Sequence, residues 1–151
     1  MEDRPFATYV YQEFLDEGRI MAAHCLGCGA WILPPRPVCP QCYGANLEWA
    51  ELSGRGRLEA FTIIHVAPSW MHAEGYSRER PYVSAIVHLE EGPAISAQIV
   101  GEDPPDTVRL QPGTPLRAKF IRRDGRQEAV LAFELTTDAA RQGRGAAVDP
   151  V

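Results

Sequence analysis

The chain has 151 residues, of which 45% are hydrophobic and 23% charged, enough for one domain with a buried core, and its 13 Gly and 13 Pro favour turn-rich β structure over a helical bundle. Fifteen Lys plus Arg against 20 Asp plus Glu leave a net charge of −5, the opposite of what a dedicated phosphate-backbone binder carries. No stretch approaches the about 20 apolar residues needed to cross a bilayer, and Met1-Glu2-Asp3-Arg4-Pro5 lacks a signal-peptide pattern, so a cytoplasmic protein without membrane contact is expected.

Phe6, Val10 and Phe14 recur at helical spacing with Tyr11 and Leu15 beside them, and Gly18 stands where a helix C′ residue belongs. Residues 1–19 are therefore read as a short amphipathic helix, either packed as a lid on the rest of the chain or docking a partner. From Ile20 to Trp49 the text becomes Cys25-Leu26-Gly27-Cys28-Gly29, Pro34-Pro35-Arg36-Pro37 and Cys39-Pro40-Gln41-Cys42-Tyr43-Gly44, so regular elements in 20–52 should be short.

Alternation with period two takes over from Gly54. Leu58, Ala60, Thr62, Ile64 and Val66 are expected on one face of a strand, with Phe61, Ile63 and His65 on the other. Four more strands follow at Tyr82 to Glu90, Ala94 to Val100, Leu116 to Arg123 and Glu128 to Leu135, separated by Gly-, Pro- and Asp-rich turns. Five strands without intervening helices predict a small barrel or sandwich over 53–135. Residues 136–151 lack periodicity and bulky apolar side chains, and read as a flexible tail.

All four cysteines fall in two Cys-x-x-Cys pairs, Cys25/Cys28 and Cys39/Cys42. Each pair lets a tight turn aim two thiolates at one point, and Gly29 and Gly44 suit the turn after each second thiolate. Four thiolates make a closed tetrahedral site, for which Zn²⁺ is the default ion. A rubredoxin-like iron site and a pair of redox disulfides are the competing readings, and His24 reads as a neighbouring surface residue.

The ordered series His24-Cys25-x-x-Cys28-Gly29, Pro34-Pro35-Arg36, Cys39-Pro40-x-Cys42, Glu48-Trp49 and Ser53-Gly54-x-Gly56-x-Leu58 resembles the acyl-CoA-associated OB-fold family with an N-terminal rubredoxin-like zinc ribbon. The likeness continues through His65-Val66-Ala67-Pro68, Pro81-Tyr82-Val83, Leu89-Glu90-Glu91-Gly92-Pro93 and Ile99-Val100-Gly101, covering roughly residues 6 to 135. The resemblance implies a mainly β protein: an N-terminal helix, a rubredoxin-like zinc ribbon and a five-stranded OB-fold barrel. It also implies an auxiliary subunit of a thiolase-like or acyl-CoA aldolase enzyme, one that binds or gates a coenzyme A thioester and stabilises its catalytic partner.

The long connection from Pro68 to Arg80 joins the first two barrel strands and offers Trp70 and Tyr76 for stacking, with Arg78 and Arg80 for phosphate. A second cationic candidate is the group Arg117, Lys119, Arg122, Arg123 and Arg126 on the fourth strand and its Asp124-Gly125 hairpin. Both are candidates for contact with coenzyme A or the partner, the alternatives being a capped barrel end for the first and a solvated edge for the second.

No catalytic residue is assigned: the cysteines are committed to the knuckles, His65, His72 and His88 read as surface or satisfied histidines, and no Gly-x-Ser-x-Gly or His-Glu-x-x-His pattern occurs. A single-stranded nucleic-acid binder is the runner-up, because ribbons and OB barrels both serve that purpose, but the net charge opposes it. An iron-bearing electron carrier is the third reading.

Overall fold

In the computed structural model, which describes residues 3–101, 109–123 and 125–136, the chain opens with helix α1 (Thr8–Asp16). Gly18 ends it at φ 79°. Its N–H donates to the Leu15 carbonyl at 2.9 Å while that of Arg19 reaches the Phe14 carbonyl at 2.9 Å, the paired closure that a left-handed C′ residue permits. The apolar stripe is buried: Val10 and Phe14 pack with Met21 and Trp49, and Leu15 joins the main core. Phe14 meets Trp49 edge-on with centroids 5.0 Å apart. The far end of α1 is fastened to the barrel, because Asp16 Oδ1 accepts from the Ala129 N–H at 2.7 Å and Gln12 Nε2 donates to the Ala129 carbonyl at 2.8 Å. The helix is therefore a packed element that joins the two β layers.

The next three strands, β1 (Ile20–Cys25), β2 (Trp31–Ile32) and β3 (Leu47–Leu52), form a sheet in the order β2-β1-β3, antiparallel throughout. The expectation of short elements holds for β2 alone, since β1 and β3 each run six residues. Ile20, Met21, Ala22 and Ala23 are all buried. Met21 faces α1, whereas Ile20 and Ala22 face the barrel core. A strand covered on both sides reads as an apolar run without alternation, which conceals it from pattern analysis.

Five strands close the barrel in the order β4-β5-β6-β8-β7: β4 (Arg55–Ile64), β5 (Tyr82–Leu89), β6 (Ala94–Ile99), β7 (Pro115–Arg122) and β8 (Ala129–Leu135). The last four begin and end within one residue of the sequence expectation. Only the β6–β8 contact is parallel. Closure removes free sheet edges and puts Leu58, Val83, Val87, Leu116 and Phe133 into one core.

One facial assignment is corrected. A bulge between Leu58 and Ala60 leaves Glu59 without a partner on β5. The inward set therefore switches from Gly56 and Leu58 to Phe61 and Ile63, and Ala60 and Thr62 turn outward rather than sharing the Leu58 face. An extra residue in a period-two strand reverses every side chain beyond it.

A short helix, α2 (Ser69–His72), lies in the β4–β5 connection. Among the described residues no helix is long and apolar enough to cross a membrane. The expected tail lies outside the described residues from position 137 onward.

Candidate metal centre and loop cluster

The two Cys-x-x-Cys turns face each other across the end of β1. All four Sγ atoms lie within 4.8 Å of one another, with Cys25 to Cys42 at 3.6 Å and Cys28 to Cys39 at 3.7 Å. A tetrahedral ion with metal–sulfur bonds of about 2.3 Å requires sulfurs about 3.8 Å apart, so the four cysteines are placed to bind a metal. No cysteine is bonded to another, and these separations far exceed a disulfide bond of about 2 Å.

Backbone amides prepare the thiols. Those of Cys28 and Gly27 draw the Cys25 thiol down to about 6 against the opposing effect of burial. The Cys42 and Gln41 amides lower Cys39 in the same way. The Ala30 amide pulls on Cys28 too, but burial and the three neighbouring sulfurs push it up to about 12. Metal binding requires the thiolate form, so a bound cation would draw the protons off this donor set.

Gly29 takes φ 83° directly after Cys28, as expected. In the second knuckle that conformation falls instead on Tyr43, at φ 63°, and not on Gly44. Gly44 has another role: a Cβ there would press on Cys42 Sγ at 3.4 Å. His24 stacks on Trp31 with centroids 4.6 Å apart and approaches Glu48 Oε1 at 3.4 Å, leaving it outside the sulfur cluster.

The loop candidates gather at one end of the barrel. Arg80 lies over the Tyr76 ring at 4.5 Å and donates to the Glu74 carbonyl at 3.2 Å. Gly75 makes room for it, since a Cβ at that position would be 2.9 Å from Arg80 Nη1. Tyr76 packs edge-on to Tyr82 at 5.4 Å and accepts from Gln98 Nε2 at 2.9 Å. Gln98 Oε1 in turn accepts from Arg123 Nη2 at 3.1 Å, and the Arg123 guanidinium stands 5.2 Å from the Trp70 ring centre. Trp70 is 49% exposed while its neighbour Met71 is buried, and Arg78 is exposed on the same loop.

The second cationic group is thus divided. Arg123 belongs to the loop cluster. Arg117 and Lys119 face Glu134 on β8 at 3.0 and 3.7 Å. Arg122 points to the other side of β7, where it donates to the carbonyls of Gln127 and Asp16, and Arg126 is exposed beyond the strand end. Only residues an even number apart share a face of a strand, so Arg122 lies on the opposite face from Arg117 and Lys119. Gln98, which local pattern did not flag, and Tyr82 join the loop cluster because they lie opposite Ser84 and Ile64 in the register. Arg55 and Arg57 likewise join the Arg117 and Lys119 face through β4–β7 closure. A cleft of about 260 Å³ between β3 and the barrel borders that face, with Glu51, Leu52, Arg55, Arg117 and Phe120 in its wall.

Residues 13–48 match the family described as ChsH2, rubredoxin-like zinc ribbon domain, and residues 49–120 match ChsH2, C-terminal OB-fold domain. A DUF35 domain-containing scaffold protein from Methanocaldococcus jannaschii is 35% identical over 117 residues, spanning 76% of this chain and 77% of that protein. The chain belongs to the DUF35 family. The DUF35 chain is also 28% identical, over 132 residues, to the benzoylsuccinyl-CoA thiolase subunit BbsA of Thauera aromatica, covering 82% of one and 85% of the other. Among solved structures it shares the fold of a chain in the Ltp2-ChsH2(DUF35) aldolase, with a TM-score of 0.70 over 89% of this chain and 98% of that one, at 21% identity.

Proposed function

We propose that this DUF35 chain is the auxiliary subunit of a thiolase-type or acyl-CoA aldolase complex, a cytoplasmic heteromer in which it binds or gates the acyl-CoA and stabilises the catalytic partner. The observation that carries this reading is the near full-length similarity to a protein named as a thiolase subunit. The side-chain chemistry agrees with it: all four cysteines converge on one point, so no thiol remains elsewhere to act as a nucleophile. The catalytic groups then belong to the partner.

Cys25, Cys28, Cys39 and Cys42 hold Zn²⁺ in this reading. With four protein thiolates and no open position, the ion supplies folding energy and takes no part in the reaction. The division into helix, ribbon (20–52) and barrel (53–135) follows, the ribbon being the part that depends on the ion. Trp70, Tyr76, Arg78, Arg80 and Arg123 form the contact surface for coenzyme A or the partner, since a flat aromatic surface beside guanidinium groups suits a purine and its phosphates. Arg117, Lys119, Arg122 and Arg126 are peripheral to it, the first three being engaged with groups of this chain.

Co-expression with a thiolase-type chain from the same genome tests the proposal. A stable complex is expected, with CoA-dependent thiolysis of a 3-oxoacyl-CoA requiring both chains and one zinc per DUF35 chain. Failure to form a complex, together with no affinity for CoA esters, would refute it. Retention of oligonucleotides at low salt would replace it with the nucleic-acid reading, and a coloured iron protein would replace the metal assignment.

A further inference from the structure

The outer surface of the barrel is unevenly charged. Around β7 and the start of β4 it carries Arg55, Arg57, Arg117 and Lys119 with Glu90 and Glu134. Beyond the bulge the outward positions of β4, β5 and β6 line up in two cross-strand rows, Ala60–Ile86–Ser96 and Thr62–Ser84–Gln98, with no Asp, Glu, Lys or Arg among them. A soluble surface of that size carries about two charged side chains. Ile86 stands at the centre, 39% exposed. Just past the end of β4, Val66 is 71% exposed, and Trp70 in α2 is 49% exposed, so the chain that leaves this stretch carries two more exposed large apolar side chains.

This stretch runs into the loop cluster without a break. Gln98 ends the second row and is also the residue that holds both Tyr76 and Arg123. The bulge at Glu59 creates the arrangement, because it turns Ala60 and Thr62 outward and sends Phe61 and Ile63 into the core.

We propose that the face built on Ala60, Ile86, Ser96, Thr62 and Ser84 is the surface on which the catalytic partner docks, through an uncharged surface of its own. This rests on the auxiliary-subunit reading above. Interface centres are depleted in charge because a buried arginine or glutamate needs a matched partner, whereas apolar groups shed water favourably and a hydroxyl or amide costs less to bury than a charge. A lasting complex covers about 800 Å² on each side, more than two rows supply, so the contact extends over Val66 and Trp70 toward the loop. A partner seated there lies directly against Tyr76 and Arg123, which is where acyl-CoA handling is proposed. A second copy of this chain suits the face less well, because a two-fold contact would bring the arginine-bearing loops of both copies to one interface.

The test uses the full chain and the same thiolase-type partner. Ile86→Arg, and separately Ser96→Lys, should weaken the complex at least tenfold while metal content and melting temperature stay at wild-type values. Arg57→Gln, on the charged side, should leave the affinity unchanged. Wild-type affinity in both face variants would overturn this docking surface while leaving the auxiliary-subunit reading intact. If the wild-type chain itself forms no complex, it is that earlier reading that fails. Self-association abolished by Ile86→Arg would instead identify a second copy as the occupant and likewise overturn the proposal.

Discussion

Gly56 occupies the seam where the barrel closes, opposite Leu89 on β5 and Leu116 on β7. A Cβ at this position would lie 2.7 Å from the His88 carbonyl oxygen and 2.9 Å from Val87 Cγ1, well inside the ordinary contact range that begins at 3.4 Å. The first of these atoms belongs to the β5 backbone and cannot swing aside, so Gly56→Ala forces β4 and β5 apart. Overpacking of this kind costs about 1–3 kcal/mol. Reduced freedom of the unfolded chain returns about 0.4–1 kcal/mol, leaving a net loss of about 1–2 kcal/mol. For a chain of this length that corresponds to a melting temperature lower by roughly 2–8 °C. Urea unfolding of the metal-loaded protein should show a lower midpoint with an unchanged slope. Gly27→Ala is the control: its Cβ would meet Cys25 Sγ at 3.7 Å, and its effect should stay within about 0.5 kcal/mol. A Gly56→Ala protein as stable as wild type would refute the close-approach reasoning.

Removal of the metal by a chelator, or Cys39→Ser, should unfold the ribbon and expose Trp31 and Trp49, seen as a red shift in tryptophan emission with loss of bound zinc; an unchanged spectrum would show that the ribbon holds without the ion. Tyr43→Gly should raise stability by about 0.5–1 kcal/mol, because the side chain is 80% exposed and its left-handed conformation is strained for any residue but glycine. A lower midpoint in urea would count against that. The Ala129 N–H, then Gln12 and Arg122, hold the Asp16 carboxyl below its ordinary value. A depressed folded-state pKa contributes stability that is present above the unfolded value of about 3.9 and is lost as pH falls through the folded one, so Asp16→Asn should flatten the acid limb of the stability profile. An acid limb as steep as that of wild type would remove Asp16 from that role.

Much of the architecture was legible because its signals are local. The C′ role of Gly18 needs only an apolar stripe followed by glycine, and four of the five barrel strands are short apolar-rich segments bounded by turn residues. The metal donors were legible for the same reason, since Cys-x-x-Cys spacing brings two sulfurs together through a single turn. Where local pattern misled, a neighbour distant in sequence was responsible. The reversal at Glu59 leaves the alternation of β4 looking continuous, and two-sided burial strips β1 of any alternation at all. At the second knuckle the left-handed turn fell on Tyr43 although a glycine stood next to it.

The sequence by itself determined the helix stop, the four-sulfur donor set and most of the barrel strands, because each depends on residue type and short-range spacing. Only the tertiary structure decided which cations act together. Arg117, Lys119, Arg122 and Arg123 lie within seven positions of one another, yet they meet Glu134, Asp16 and Gln98 on three different elements. It likewise decided that Ala60, Ile86 and Ser96, drawn from three strands, form one uncharged row. The physical reason is strand register: barrel closure and a single inserted residue choose each side chain's face and neighbours, and neither quantity is encoded within a few residues of the side chain it governs.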